Sequence, residues 1–565
     1  MRSVWLGMWM ILGSFVITQA QTARVLHNGQ HLFASGANIA WVQFGQDFGA
    51  SSAPIETFES IFADVQQHQG NTLRLWVHTH GETTPDWSLG FVTGPGQTTL
   101  SDLVAILDAA QRHQVRLILC LWSFDMLRTS FGEALTTRNY RLLTNGDVLQ
   151  SYLDQALLPM VRAVKAHPAL LAWEVFNEPE GMTNEFGWNI TRHVRMADVQ
   201  RFINRVAGVI HREDPVANVT SGAVSIATLS QITTEGFAKT ALSDHSLAIF
   251  NAQHQTDFSA AEWTQVRHQL AVSAQNYYSD AQLIAAGGDQ DGTLDFYSCH
   301  YYDWGDARFS PFHRNYTEWG LTKPLLIAEF FMDDLPEVSA VDLYETLLKR
   351  GYAGAMGWQW YDRNHPNLGY NWTRMLQNMT ALGDRFPDEV RLRTNVPRGI
   401  QYFRATPDLL AASHETSRLS WRVADAQTVW LNGEIVPDEA EQNVNPEHST
   451  RYVLHAKLNN GSEVEVARWV RVVNTMPDTF GIRDVYPNPS SGASVVRYQI
   501  PERMYVSIDV LDALGRIIRT FPIGFQEEGF HDVPVSIQGF SAGVYWLRIV
   551  AGGYVQHHSW VLMHF

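Results

Sequence analysis

The stretch LLAWEVFNEPE, residues 170–180, is a short β-rich run that closes on the polar triplet Asn177-Glu178-Pro179. Seven further runs of the same kind accompany it: ASGANIAWV from Ala34, NTLRLWVHT from Asn71, VRLILCLWS from Val115, VANVTSG from Val216, LDFYSCHYY from Leu294, PLLIAEFF from Pro324 and AGAMGWQWY from Ala353. Helix-like stretches, such as Ile55 to Gln69, Leu100 to His113, Leu149 to His167 and Val341 to Arg350, fall between them. Eight strands alternating with amphipathic segments predict an α/β chain built on a (β/α)₈ TIM barrel. A doubly wound sheet competes, but it usually carries fewer strands and, when it binds nucleotides, a glycine-rich turn after the first. Here the first strand runs into WVQFGQDFG. The connection from Ala223 to Gly292 is too long for a plain loop, so extra helix walling a cleft is expected there.

In a barrel the C-terminal strand ends share one mouth, so Glu178 and Glu329 converge although 151 positions separate them. Two such carboxylates suit glycosidic-bond hydrolysis. One protonates the leaving oxygen while the other attacks, at about 5 to 5.5 Å for the retaining mechanism. The acid then needs apolar walls or like charge to stay protonated, and the nucleophile needs hydrogen bonds to stay ionised. The 19 tryptophans point the same way, because an aromatic face matches the apolar face of a pyranose. Trp41, Trp76, Trp122, Trp304 and Trp360 lie at or near strand ends, where each serves equally well as core or as sugar platform.

Taken in order, these strand ends resemble clan A of the glycoside hydrolases, and family 5 in particular, the family of many β-mannanases and endoglucanases. The matching residues are Arg74 in NTLRLW, Asn177-Glu178-Pro179, His300 and Tyr302 in SCHYYDW, Glu329 in PLLIAEF and Trp358 in GWQW. The resemblance implies that Glu178 is the acid/base and Glu329 the nucleophile. Asn177 would then hold a sugar 2-hydroxyl, and Tyr302 would hydrogen-bond the nucleophile. Arg74 would keep Glu329 ionised, His300 would line the subsite and Trp358 would form its floor. Apart from the family, Arg74 could bridge barrel layers through a buried ion pair, and His300 could be a core histidine bonded to backbone. Where many members place a histidine at the third strand end, this chain has Trp122, Phe124 and Asp125. That favours the mannanase branch, so a secreted endo-β-1,4-mannanase is expected, with a β-1,4-glucanase and a non-catalytic sugar-binding protein as rivals. No metal or organic cofactor is called for. His78, His80 and His313 fit no H-E-x-x-H spacing and are expected to be solvated or to contact sugar.

The chain has 565 residues, more than one core serves, and a net charge of -17 that disfavours nucleic acid as a partner. Residues 1–20 read as a secretory signal cut after Ala20. Residues 21–390 hold the barrel. Short alternating strands follow, as in LSWRVA, TVWLNGEIV and RYVLHAKLNNGSEV, so 395–474 is expected to be a small β-sandwich that resembles the immunoglobulin-like modules of bacterial polysaccharidases. Residues 480–565 form a second all-β module. Its VYPNPSSG, LDALGRIIRT and AGVYWLRIV resemble the C-terminal sorting domain of the type IX secretion system, which implies that machinery as a partner and a secreted or surface-attached product. Cys120 and Cys299 are expected as buried free thiols, and the chain as a monomer acting on a polysaccharide.

Overall fold

Eight parallel strands close into a barrel in this computed structural model: β1 Ala34–Ile39, β2 Thr72–Thr79, β3 Arg116–Ser123, β4 Leu170–Asn177, β5 Val219–Ala223, β6 Tyr297–His300, β7 Leu325–Glu329 and β8 Gly354–Gly357. Seven lie inside the runs read from the sequence, and β5 runs one residue past its own, to Ala223. The structure describes residues 24–49, 53–230, 275–302, 309–360, 369–392, 399–410, 415–472 and most of 480–563. The expected signal, Trp304 and much of the long β5–β6 connection lie outside them. Within the described part of that connection, a helix spans Asp280–Gly287.

Every residue of β2 and β4 is buried, because helices cover the outside of the barrel and side chains fill its lumen. Helix α1, Ile55–Gln67, turns Phe58, Ile61, Phe62 and Val65 inward, and α2, Thr99–Arg112, does the same with Leu103, Ile106, Leu107 and Ala110. Both stripes follow the 3.6-residue period. The stretch expected as one helix from Leu149 to His167 is helical from Gly146 to Ala163 and carries a π turn at Leu153–Leu157. Pro159 supplies no N–H to the preceding turn, and a wider turn absorbs the missing hydrogen bond. Strand β6 stops at His300, two residues short of the run that predicts it, where its register with β7 shifts between Cys299 and His300.

Two compact units emerge. The first comprises Met1–Leu409, Ser417–Val444 and Thr450–Val470, and the second Leu410–Thr416, Asn445–Ser449 and Arg471–Phe565. In the first, strands Ile400–Thr406, Ser417–Val423 and Glu439–Val444 form one antiparallel sheet, while Ala426–Leu431, Glu434–Val436, Thr450–Leu458 and, as far as Val470, Glu463–Val472 belong to another. Burial alternates along Ser417–Val423, with Leu419, Trp421 and Val423 inward, as a sheet with one covered face requires. In the second unit, Val496, Tyr498 and Ile500 of one sheet share a core with Val506, Ile508, Leu547, Ile549 and Trp560 of another.

Candidate active site

Strand register starts the site. Asn38 pairs with Arg74 across β1 and β2, and His300 with Glu329 across β6 and β7. Arg74 is fully buried and forks in three directions. Its Nε donates to Glu174 Oε2 at 2.5 Å, its Nη1 to Glu329 Oε1 at 2.5 Å and to Asn38 Oδ1 at 3.1 Å, and its Nη2 to Asn177 Oδ1 at 2.8 Å. The planar guanidinium matches two carboxylates and two amides at once, which a lysine cannot do. Gly222 of β5 makes room for this. A Cβ there would lie 2.4 Å from Glu174 Oε1 and 3.1 Å from Arg74 Nη2.

Glu329 ends β7 and accepts a second hydrogen bond, on Oε2, from the Tyr302 hydroxyl. Glu178 follows β4 in the left-handed region, φ 47° and ψ 53°, and its N–H donates to Gly222 O at 2.8 Å. Its Oε1 shares a 2.7 Å hydrogen bond with His300 Nδ1, while Oε2 has no partner among the described residues. One donor or acceptor atom each of Glu178, His300 and Glu329 lies within 4.8 Å of the other two. Such a trio has the atoms to hold a cation, but Arg74 already stands at Glu329 as its counter-ion.

The two carboxyls differ in environment. Burial pushes Glu178 well above the ordinary carboxylate range, the charges of Glu329 and Glu180 push further, and Arg74 offsets only part. Burial also raises Glu329, but Arg74 and the Tyr302 hydroxyl pull it back to about 7. Burial opposes the Arg74 charge too, and Glu174 and Glu329 outweigh it, so the guanidinium stays protonated. Glu178 is thus the better proton store and Glu329 the better anion.

Trp358, 5% exposed, closes one wall together with Trp76, Tyr302, Ala40 and Cys120, and half-buried Trp41 and Phe331 pack against them. Trp76 lies under Arg74, whose guanidinium carbon is 4.3 Å from its ring centre. The structure therefore brings Arg74, Asn177, Glu178, His300, Tyr302, Glu329 and Trp358 into one cluster. Trp122 stands apart in the core against His78 and Tyr152. His78 and His80 are buried, not solvated: His78 bonds Thr84 and His80 bonds Glu82, while His313 bonds Ser310 and the Pro336 carbonyl. Cys120 and Cys299 are buried free thiols. Asn38, Glu174 and Glu180 were not read from the sequence as site residues. The one available signal was that Glu174 is a charge inside an otherwise apolar strand.

Comparison with known proteins agrees with the barrel fold. Residues 484–563 match the model described as a secretion system C-terminal sorting domain, a feature of chains that are secreted or held at the cell surface. The mannan endo-1,4-β-mannosidase of Mytilus edulis is 33% identical over 386 residues, spanning 64% of this chain and 90% of its own, and that of Cryptopygus antarcticus is 31% identical, spanning 60% and 84%. The solved β-mannanase of Mytilus edulis superposes with a TM-score of 0.52 at 31% identity, covering 66% of this chain and 98% of that one. A β-1,4-mannanase of Aplysia kurodai gives 0.52 at 28% identity, with 66% and 99% covered. By shared sequence along nearly the full length of the mussel enzyme, this chain belongs to the mannan endo-1,4-β-mannosidase family of glycoside hydrolases.

Proposed function

We propose that the chain cleaves β-1,4-mannan internally and with retention, using Glu178 as acid/base and Glu329 as nucleophile. The observation that carries this reading is the pair itself: two buried carboxylates with oxygens within 4.8 Å of each other, one bonded to a guanidinium and a phenol, the other with a free oxygen. That closeness favours the retaining class, whose carboxyls stand about 5–5.5 Å apart, over an inverting pair at about 6.5–9.5 Å with room for water. In the first step Glu329 attacks the anomeric carbon, the glycosidic C–O bond breaks, and the leaving oxygen takes the proton of Glu178. With His300 Nδ1 as the donor to Oε1, Oε2 is the oxygen left to carry that proton. In the second step Glu178 removes a proton from water, water oxygen bonds the anomeric carbon, and Glu329 departs as carboxylate. Asn177 binds the 2-hydroxyl, Arg74 and Tyr302 hold Glu329 ionised, His300 orients Glu178, and Trp358 stacks under the sugar. The substrate class follows the relatives, which are mannan endo-1,4-β-mannosidases. Export begins with a signal cut after Ala20 and ends through type IX sorting of the C-terminal module, and the enzyme acts as a monomer.

Reducing-sugar release on mannan, glucomannan, carboxymethylcellulose and xylan tests the reading. Turnover of mannan that is lost in both Glu178→Gln and Glu329→Gln supports it. Turnover confined to another polymer overturns the substrate, and retained activity in Glu329→Gln overturns the mechanism.

A further inference from the structure

Two residues beyond Glu178, a second glutamate is fully buried and touches none of the groups assigned above. Glu180 lies in the short 3₁₀ turn Pro179–Met182 that follows the acid/base. Its Oε1 accepts from the Tyr278 hydroxyl at 2.6 Å and from Thr228 Oγ1 at 3.1 Å, and its Oε2 accepts from the Val224 N–H at 3.2 Å. These donors come from both ends of the long β5–β6 connection. Val224 and Thr228 stand where the chain leaves β5, and Tyr278 stands where it returns toward β6. The two ends also meet directly, the Tyr277 N–H donating to Thr228 O at 3.0 Å. Just upstream, the Glu178 N–H donates to Gly222 O. The acid/base turn and the 222–228 segment are therefore stitched at two successive points, one on each side of Pro179.

A buried carboxylate is costly unless its lone pairs are filled, and three donors fill those of Glu180. A hydrophobic residue would fill the same space without that cost. What only the carboxylate supplies is a directional clasp on three separate groups. The residue it holds in register has a non-glycine left-handed backbone, a conformation costing of order 1 kcal/mol or more that persists only where its surroundings impose it.

We propose that Glu180 is a positioning residue for the acid/base: by clasping both ends of the β5–β6 connection it fixes the turn that aims the Glu178 carboxyl at the leaving oxygen. This rests on the acid/base role of Glu178. A positioning loss of this kind weakens proton delivery, and substrates that need no proton feel it little.

The test measures Glu180→Gln, Tyr278→Phe and Glu178→Gln in the full chain, on mannan and on an aryl β-mannobioside with a dinitrophenolate leaving group. For Glu180→Gln, kcat on mannan is expected to fall about tenfold to a hundredfold with KM little changed, and the glycosylation rate on the aryl substrate to fall less than about threefold. Tyr278→Phe, which deletes one clasp and leaves the charge, is expected to show the same split more weakly. Equal losses on both substrates in both clasp variants, or no loss on mannan in either, overturn the proposal. If Glu178→Gln itself loses both substrates equally, the acid/base assignment fails instead, and the two failures stay distinct. Should Glu180→Gln not fold, Tyr278→Phe alone decides.

Discussion

The first unit contains two arginine networks, one buried and one half-buried, that look alike and do opposite things. At the mouth, Arg74 faces Glu174 and Glu329, with Glu178 close by: three carboxylates around one guanidinium. On the approach to β6, Asp295 receives Arg404 of the first sandwich strand and His211 of the helix Met196–Glu213, and Arg404 also donates to the Pro215 and Ala217 carbonyls. Burial raises the carboxyls of the first network because cations are too few, and Glu329 stays near 7 even with Arg74 bonded to it. Burial acts on Asp295 as well, but Arg404 and His211 outweigh it and hold that carboxyl well below the ordinary range. A network with too little positive charge holds protons ready for chemistry, and a compensated one holds two sheets together.

Replacing Arg74 should separate the two networks most sharply. Arg74→Met leaves Glu174 and Glu329 buried without a cation, so we expect a loss of about 3–5 kcal/mol in stability together with a fall in kcat of about a hundredfold or more. Thermal unfolding and mannan turnover measure these, and Arg74→Lys should restore stability better than rate. A drop in stability with kcat untouched would make the mouth network merely structural.

Tyr302→Phe is the next largest effect. Removing the hydroxyl that lowers the Glu329 pKa moves that pKa up, so the acidic limb of kcat/KM should shift to higher pH and the plateau should fall roughly tenfold. A limb that stays in place would detach that limb from Glu329.

The smallest effect should come from Asp295→Asn, with turnover per folded molecule unchanged and about 1–3 kcal/mol of stability lost at neutral pH. The folded-state pKa of Asp295 is depressed, so its contribution is fully present above the unfolded value near 3.9 and is lost as pH falls below it. Variant and parent should therefore keep most of their gap near pH 4 and converge only as pH falls further toward the depressed folded-state value, and a gap that stays constant well below pH 4 would contradict the ion-pair account.

Much of this was legible in the sequence because barrel strands are short apolar runs closed by polar ends, and the closing residues are the ones that reach the mouth. Glu178, His300 and Glu329 stand at or just past such ends. Asn38, Glu174 and Trp76 lie within strands buried on both faces, where no alternation separates lumen from outer side, so their place around Arg74 emerged only with the register. The role of Glu180 depends on donors 44 to 98 residues away and had no local signal. Trp122 shows the reverse: a strand-end position left core and platform equally open, and packing against Tyr152 and His78 makes it core.

A retaining mechanism requires Glu329 to form a covalent bond to the sugar. A 2-deoxy-2-fluoro mannobiosyl fluoride, incubated with the full chain and followed by peptide mass spectrometry, tests it directly. A stable adduct is expected on the peptide carrying Glu329, and none in Glu329→Gln. An adduct on Glu178, or turnover with inverted product and no adduct, would contradict it.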